Sequence, residues 1–458
     1  MKKPTVSFVC QECGYDTPSW FGKCPECGAW NTLKEIRVTP TNTKLHQFQN
    51  DLTTIKPQTL KEIAYTERSR IQTDFSEMNT VLGGGIVPGS TILIAGDPGV
   101  GKSTLLLQLA LILANKNKKI LYVSGEESVE QIKMRAVRID SYKKGNSKPK
   151  TSNPKEKSNA QEHLFLLSLI DADAIVGQIE ALKPDLVVVD SIQTIESQNV
   201  SGLSGSVAQV RYAALQFVRS AKQNNIPVVI VGHVTKEGMV AGPMVLSHMV
   251  DTVLFLEGEK FAKTRILRSL KNRFGPIDEV GIFLMEEEGI SEATNPEQLF
   301  LAGTLTDAPG SVLVVTLEGS RAFLVELQAL AVSSKLFAPR RVVSGVDPRR
   351  VELLLAVLQK HCGLPLETMD VFVNVAGGLK LSDPAIDLGI CLAVYSSVKN
   401  TPLPNTVGIA EVGLLGELRA VSGIEKRIKE AEKLGFKNII TAKKHKSLRE
   451  VIKSLSKS

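Results

Sequence analysis

The chain has 458 residues, 43% hydrophobic and 22% charged, with mean hydropathy near zero and a formal net charge of +7. That length supports roughly three cores, and the balance is that of a soluble globular protein. MKKPTVSFVC carries no apolar run behind its basic residues, against a signal peptide, and the greasiest stretch, TLLLQLALILA (104–114), is too short to span a bilayer and reads as a buried helix. A cytoplasmic location with no membrane contact is expected.

Residues 1–33 hold four of the six cysteines, as C-x2-C, a ten-residue spacer and C-x2-C. Each pair spans one tight turn, so Cys10, Cys13, Cys24 and Cys27 can complete a tetrahedron of thiolates, with Gly14 and Gly28 letting backbone amides approach the sulfurs. Bound Zn2+ would supply folding energy that so few apolar residues cannot; iron or a redox dithiol is the alternative. A closed four-thiolate site has no open position, so no catalysis is expected there. Trp20, Phe21 and Trp30 read as packing around this ribbon rather than stacking on bases. Residues 34–65, polar with two prolines and no glycine, read as a linker.

From 66 to 292, apolar runs alternate with helical patterns: TILIA (91–95), ILYVS (120–124), LFLLS (164–168), LVVVD (186–190), PVVIVG (227–232) and TVLFL (252–256). Such alternation predicts parallel βαβ units in a covered sheet. Val207, Val210, Ala214, Phe217, Val218 and Ala221 share one face of a predicted helix over 206–223. Within this region, 141–161 carries six lysines against one glutamate, much of the chain's excess charge. It is expected to be a disordered insertion, a solvated loop in preference to a DNA-contacting tether.

GDPGVGKS (96–103) is G-x4-G-K-S between a strand and a helix, the context a phosphate-binding loop requires. Gly96, Asp97, Pro98, Gly99, Val100 and Gly101 would wrap phosphates with backbone amides. Lys102 would meet the β/γ oxygens of ATP, Ser103 would face Mg2+, and Thr104 would touch the α-phosphate. Asp190, ending LVVVD, suits the Mg2+ shell. Glu126 and Glu127 follow the strand after the loop helix and sit at the sheet's carboxyl edge, beside the phosphates. Glu126 is the preferred water-orienting base; a residue favoured by a helix dipole is the bland reading of either.

After Pro296 the pattern restarts with VLVVTLEG, AFLVELQAL, the helix VELLLAVLQKH (351–361) and the strand VFVNV (371–375). Residues 293–458 are read as a second α/β domain with more antiparallel pairing, with Cys362 and Cys391 in its core.

LGGGIVPGSTILIAGDPGVGKSTLLLQ, ILYVSGEES and LVVVDSIQT together resemble the RecA-type ATPase core. The resemblance implies that Glu126 activates water and that His233, in VGHVTKEG, senses the γ-phosphate; a satisfied hydrogen-bonding histidine is the competing reading. LKNRFGP (270–276) resembles a trans-acting Lys-x-Arg pair, with Lys271 and Arg273 on one strand face reaching a neighbouring subunit's ATP. By position, 196–206 and 235–248 would be DNA-binding loops, with Arg211 and Lys236 on phosphates and no aromatic stacking. VFVNVAGGLKLSDPAIDLGICLAVYSS and EVGLLGELRAVSGIEKRIKEAEKLG resemble the Lon-family proteolytic domain. There the Ser–Lys dyad positions fall on Ala385 and Arg427, which implies a fold without peptidase chemistry. Lys380, Arg340, Arg341, Arg349 and Arg350 are its candidate DNA contacts.

Zinc ribbon, core, KNRFG and tail together resemble the bacterial RadA (Sms) family of DNA-repair proteins, apart from 141–161. The fold class expected is α/β: a RecA-like parallel-sheet core, an N-terminal zinc ribbon and a C-terminal Lon-protease-like domain. The resemblance implies a DNA-dependent ATPase, assembled as a hexameric ring on single-stranded DNA, driving branch migration of recombination intermediates alongside the RecA recombinase. A KaiC-like signalling ATPase or kinase, and an ATP-dependent protease, are the rival classes.

Overall fold

The computed structural model describes residues 5–10, 15–26, 28–38, 59, 70–145, 160–233, 243–258, 263–287, 289–293, 301 and 308–456. The chain divides into two compact units. One comprises Met1–Gly258, Arg265–Ile277 and Phe283–Glu292, the other Glu259–Thr264, Asp278–Ile282 and Ala293–Ser458.

The first unit begins with an antiparallel sheet in which β1 (Thr5–Cys10) pairs with both β2 (Asp16–Thr17) and β3 (Leu33–Val38). Strand β3 continues five residues past 33, into the stretch read as linker, because its backbone finds a partner along the whole of β1. Trp20, Phe21 and Trp30, expected to pack around the ribbon, are 54%, 44% and 71% exposed; Trp20 Nε1 donates to the Leu33 carbonyl at 3.2 Å, and the Lys23 ammonium lies 5.7 Å from the Trp30 ring. Among the described residues the interior is formed by Cys10, Cys24 and Leu33, with Phe8 and Tyr15 packed against them.

The larger sheet follows α1 (Ser76–Leu82). Its members in chain order are β4 (Thr91–Gly96), α2 (Lys102–Asn115), β5 (Ile120–Ser124), α3 (Val129–Gly145), β6 (Leu164–Ser168), α4 (Ala172–Leu182), β7 (Leu186–Asp190), α5 (Val207–Asn224), β8 (Val228–His233), β9 (Thr252–Glu257), β10 (Thr264–Asn272), β11 (Val280–Glu286) and β12 (Gly289–Glu292). The strand order is β12-β11-β10-β9-β4-β8-β7-β5-β6. From β9 to β6 every pairing is parallel, and β10 and β12 join antiparallel. Alternate residues serve opposite faces: Ile92, Ile94, Ile120, Tyr122, Leu186 and Val188 join the core under α2, whereas Leu93, Leu121, Val123, Val187 and Val189 join the one under α4 and α5. Both faces are covered, so these strands read as unbroken apolar runs. Residues 141–145 continue α3 and a short helix starts at Ala160, so the expected insertion narrows to 146–159, which lies outside the described residues.

The second unit contains β13 (Ser311–Glu318), β14 (Arg321–Ser333), β15 (Arg341–Ser344), α6 (Pro348–Cys362), β16 (Met369–Val375), α7 (Asp387–Lys399), β17 (Thr406–Ile409), β18 (Glu411–Val412), β19 (Leu418–Arg419), α8 (Ile424–Lys433), β20 (Asn438–Thr441) and α9 (Leu448–Leu455). Its six-stranded sheet, β15-β16-β14-β13-β17-β20, is mixed: β14 runs antiparallel to β13 and β16, and the outer pairings are parallel. Helix α6 shows why its boundaries fall where they do. Asp347 accepts from the Arg349 amide, Pro348 occupies the first turn, and Gly363 closes it in the left-handed conformation. Cys391 is fully buried and its thiol is pushed well up by burial; Cys362 is only partly covered, its pKa raised to about 11 by the same cause. No helix among the described residues is long and apolar enough to cross a membrane.

Candidate nucleotide site

The parallel register brings four strand ends together. Gly96 of β4 lies opposite His233 of β8, and Ser124 of β5 lies opposite Asp190 of β7. Gly96 must be glycine, since a Cβ there would sit 2.2 Å from the Leu256 carbonyl oxygen. Gly101, at φ +111, caps α2, and the first turn of that helix presents amides without intrahelical acceptors.

Lys102 is buried, and its Nζ donates to the carbonyls of Gly96 at 2.8 Å and Asp97 at 2.9 Å. Burial pushes its pKa down to about 8, against the partial support of Asp190, Asp97 and Glu126. The ammonium thus rests on the loop's own oxygens, groups that phosphate oxygens can replace. Val100 is buried, and its carbonyl accepts from Arg265 Nε at 2.9 Å, which anchors the loop to β10. Ser103 and Thr104 are partly exposed on the first turn, whereas Asp97, Pro98 and Gly99 are exposed on the loop.

Strand β5 does not neighbour β4, as a simple doubly wound sheet would have it; β8 and β7 intervene. Glu126 reaches the site by the turn after β5, where Ser124 Oγ accepts from the amides of Glu126 and Glu127. Ser191 Oγ donates to Glu126 Oε1 at 2.6 Å, and His233 Nε2 lies 3.8 Å from the same oxygen. Glu127 turns away to Arg135 Nη1, at 3.0 Å. Of the two glutamates, only Glu126 faces His233 and Ser191. Asp190 is buried and accepts a hydrogen bond from Tyr122 Oη at 2.7 Å. His233 has its pKa lowered, first by burial and then by Lys102, which favours the neutral ring. Its Nδ1 is buried with no hydrogen-bond partner among the described residues, unlike a satisfied structural histidine.

The Lys271–Arg273 pair departs from the expected geometry. The register of β10 against β9 shifts between Ser269 and Lys271, and the strand ends at Asn272, so Arg273 lies beyond it. The bulge nevertheless turns both cations to one turn: Lys271 Nζ donates to the Ser247 and Val250 carbonyls at 2.6 and 2.8 Å, and Arg273 Nη1 pairs with the buried Asp251 at 3.2 Å. Arg273 remains 52% exposed. Of the expected DNA-loop cations, Arg211 is exposed on α5, and Lys236 lies outside the described residues.

In the ribbon, Cys10 and Cys24 are buried together, each at a turn: the Cys10 amide donates to Tyr15 and the Cys24 amide to Ala29. Cys13 and Cys27 lie outside the described residues. Two thiols converging in so small a core fit a thiophilic metal.

In the second unit Ala385 and Arg427, the residues expected at the dyad positions, both lie against the Asp383 carboxylate. Ala385 is buried in the sheet core, and Arg427, equally buried, pairs with Asp383 Oδ2 at 2.6 Å. Of the candidate DNA contacts, Arg350 forks onto the buried Asp387, and Arg340 onto Asp370. Arg341 donates to the carbonyls of Leu366 and Met369; Lys380 and Arg349 stay exposed. The groove of about 610 Å³ beside these groups is lined by Lys380, Ser382, Asp383, Arg350 and Glu411.

Sequence reasoning missed Tyr122, Ser191, Arg135 and Asp251. Tyr122 had a signal: a hydroxyl inside a covered strand must find a partner. The others are visible only once strands β5, β7 and β10 are paired.

Residues 71–291 match the family model of the KaiC ATPase, 8–35 that of the Rubredoxin metal binding domain, and 348–445 that of Subunit ChlI of Mg-chelatase. The crystal structure of the RadB recombinase is similar at 25% identity, covering 48% of this chain and 99% of that one, with a TM-score of 0.38. DNA repair protein RadA of Bacillus subtilis is 47% identical over 444 residues, 96% of this chain and 93% of the relative. The proteins of the same name from Streptococcus pyogenes and Listeria monocytogenes are 46% and 44% identical, covering 97% and 96% of this chain and 94% and 93% of their own. The ATPase and rubredoxin-type models imply ATP with Mg2+ and Zn2+ as the bound groups, which the loop, Asp190 and the thiols fit. At this identity over nearly the whole of both chains, the chain belongs to the family of DNA repair protein RadA.

Proposed function

We propose that this chain is an ATP-driven DNA motor of the cytoplasm. It binds single-stranded DNA and promotes branch migration of recombination intermediates alongside the RecA recombinase, working as a hexameric ring. The observation that carries the reading is the convergence of Lys102, Asp190, Glu126 and His233 at adjoining strand ends, within a chain of this family. Lys102 would leave the Gly96 and Asp97 carbonyls for the β- and γ-phosphate oxygens. Ser103 and Asp190 would hold Mg2+, which neutralises phosphate charge. Glu126, oriented by Ser191, would direct a water, and His233, whose Nδ1 has no hydrogen-bond partner among the described residues, would register the γ-phosphate. Arg273 of one subunit, half exposed and paired with Asp251, would complete the neighbour's site. The domains would be a C4 zinc ribbon (1–33), a linker (34–65), the ATPase core (66–292) and an inactive Lon-protease-like domain (293–458).

The test is steady-state ATP hydrolysis with and without single-stranded DNA, at low and moderate salt. A rise in rate that weakens with salt supports the motor. The family model over 71–291 is that of KaiC, and it favours one rival: a signalling ATPase that phosphorylates its own Ser or Thr. An unchanged rate with DNA, together with self-phosphorylation, would put that rival in place of the motor.

A further inference from the structure

Two hydrogen-bonded links join the residues read as the metal holder and the water-orienting base. The short one is Ser191, next to Asp190 in sequence, whose Oγ donates to Glu126 Oε1 at 2.6 Å. The long one starts on Asp190 itself. Tyr122 Oη donates to Asp190 Oδ2 at 2.7 Å, Arg135 Nη2 lies 3.4 Å from the Tyr122 oxygen, and Arg135 Nη1 pairs with Glu127 at 3.0 Å, beside Glu126. Tyr122 is wholly buried, on the same sheet face as Ile120 and Val188, so its ring is locked by apolar packing. Its hydroxyl has two neighbours there: the carboxylate it donates to and the guanidinium that faces its oxygen. A tyrosine is unneeded for filling this space, because the surrounding core is apolar and a phenylalanine ring has the same shape.

We propose that Tyr122 is a positioning residue for the metal-binding carboxylate. Its hydroxyl holds Asp190 in one orientation, and Arg135 ties that orientation to the turn carrying Glu126. Groups that hydrogen-bond a metal-ligating carboxylate orient it, and their loss typically weakens metal binding. The proposal rests on the reading of Asp190 as the Mg2+ holder, and the test separates the two. Full-length protein is loaded with ADP, and Mn2+ binding is titrated by electron paramagnetic resonance for wild type, Tyr122→Phe and Asp190→Asn. ADP affinity in EDTA and the thermal midpoint are measured on the same samples.

Tyr122→Phe should raise the Mn2+ dissociation constant about tenfold, with ADP affinity in EDTA unchanged; Asp190→Asn should raise it at least as much. If Asp190→Asn weakens Mn2+ binding and Tyr122→Phe does not, the positioning role is overturned, and a lowered midpoint in Tyr122→Phe would then mean that the tyrosine serves stability alone. If Asp190→Asn leaves Mn2+ binding intact, the reading of Asp190 fails and takes the proposal with it.

Discussion

Replacing Arg427 by alanine should destabilise the second unit by about 3 kcal/mol. The guanidinium is 1% exposed; Nη1 pairs with Asp383 Oδ2 and donates to the Val315 carbonyl, both at 2.6 Å, and Nε donates to the Ser422 carbonyl at 3.0 Å. Its removal takes one donor from each of two carbonyls and leaves a carboxylate without its counter-ion. Breaking a buried pair costs about 3–5 kcal/mol. The low end applies because Asp383 is 17% exposed and keeps the amides of Leu317 and Ala385 as donors. For a unit of this size, that loss lowers the thermal midpoint by about 6–12 °C. Circular dichroism of the full-length protein would follow the transition assigned to the second unit, since the two units need not melt together. Arg427→Lys keeps the charge but not the planar fork, so it should lose about half as much. On the reading of Ala385 as the nucleophile position, it should gain no peptidase activity. A loss below about 1 kcal/mol in Arg427→Ala would refute the reasoning, because it would give the pair the worth of a solvent-exposed one.

Other outcomes follow from the first unit. Lys102 titrates near 8 in the nucleotide-free protein, and phosphate oxygens would raise that value, so binding takes up a proton above pH 8. Nucleotide affinity should therefore fall by up to about tenfold per pH unit above 8; a fluorescent-ADP titration in EDTA that stays flat to high pH would contradict this. Arg273→Ala should abolish turnover while nucleotide affinity and thermal midpoint hold, since its partner Asp251 also has Lys222 at 3.9 Å and the arginine is half exposed; retained turnover would remove the proposed trans role. The chain's two tryptophans, Trp20 and Trp30, both lie in the ribbon, so its tryptophan emission reports that region alone. Mercurial titration of the ribbon thiols should release about one Zn2+ per chain and lower tryptophan anisotropy. Metal release with anisotropy unchanged would mean the ribbon folds without it.

Local chemistry was enough to read much of this protein. G-x4-G-K-S specifies a strand, a tight loop and a helix start in its own few residues, and the runs TILIA, ILYVS, LVVVD and PVVIVG are unbroken because both sheet faces are covered. The cysteine spacing is likewise a local device. What chain neighbours cannot encode is strand order. With β8 and β7 between β4 and β5, Glu126 meets Ser191 and His233 across the sheet, and Tyr122 meets Asp190. The bulge in β10, which sends Lys271 and Arg273 to one turn, depends on its pairing with β9. Only the folded chain decides these, because hydrogen bonds between strands far apart in sequence form once the sheet has set which ends are neighbours.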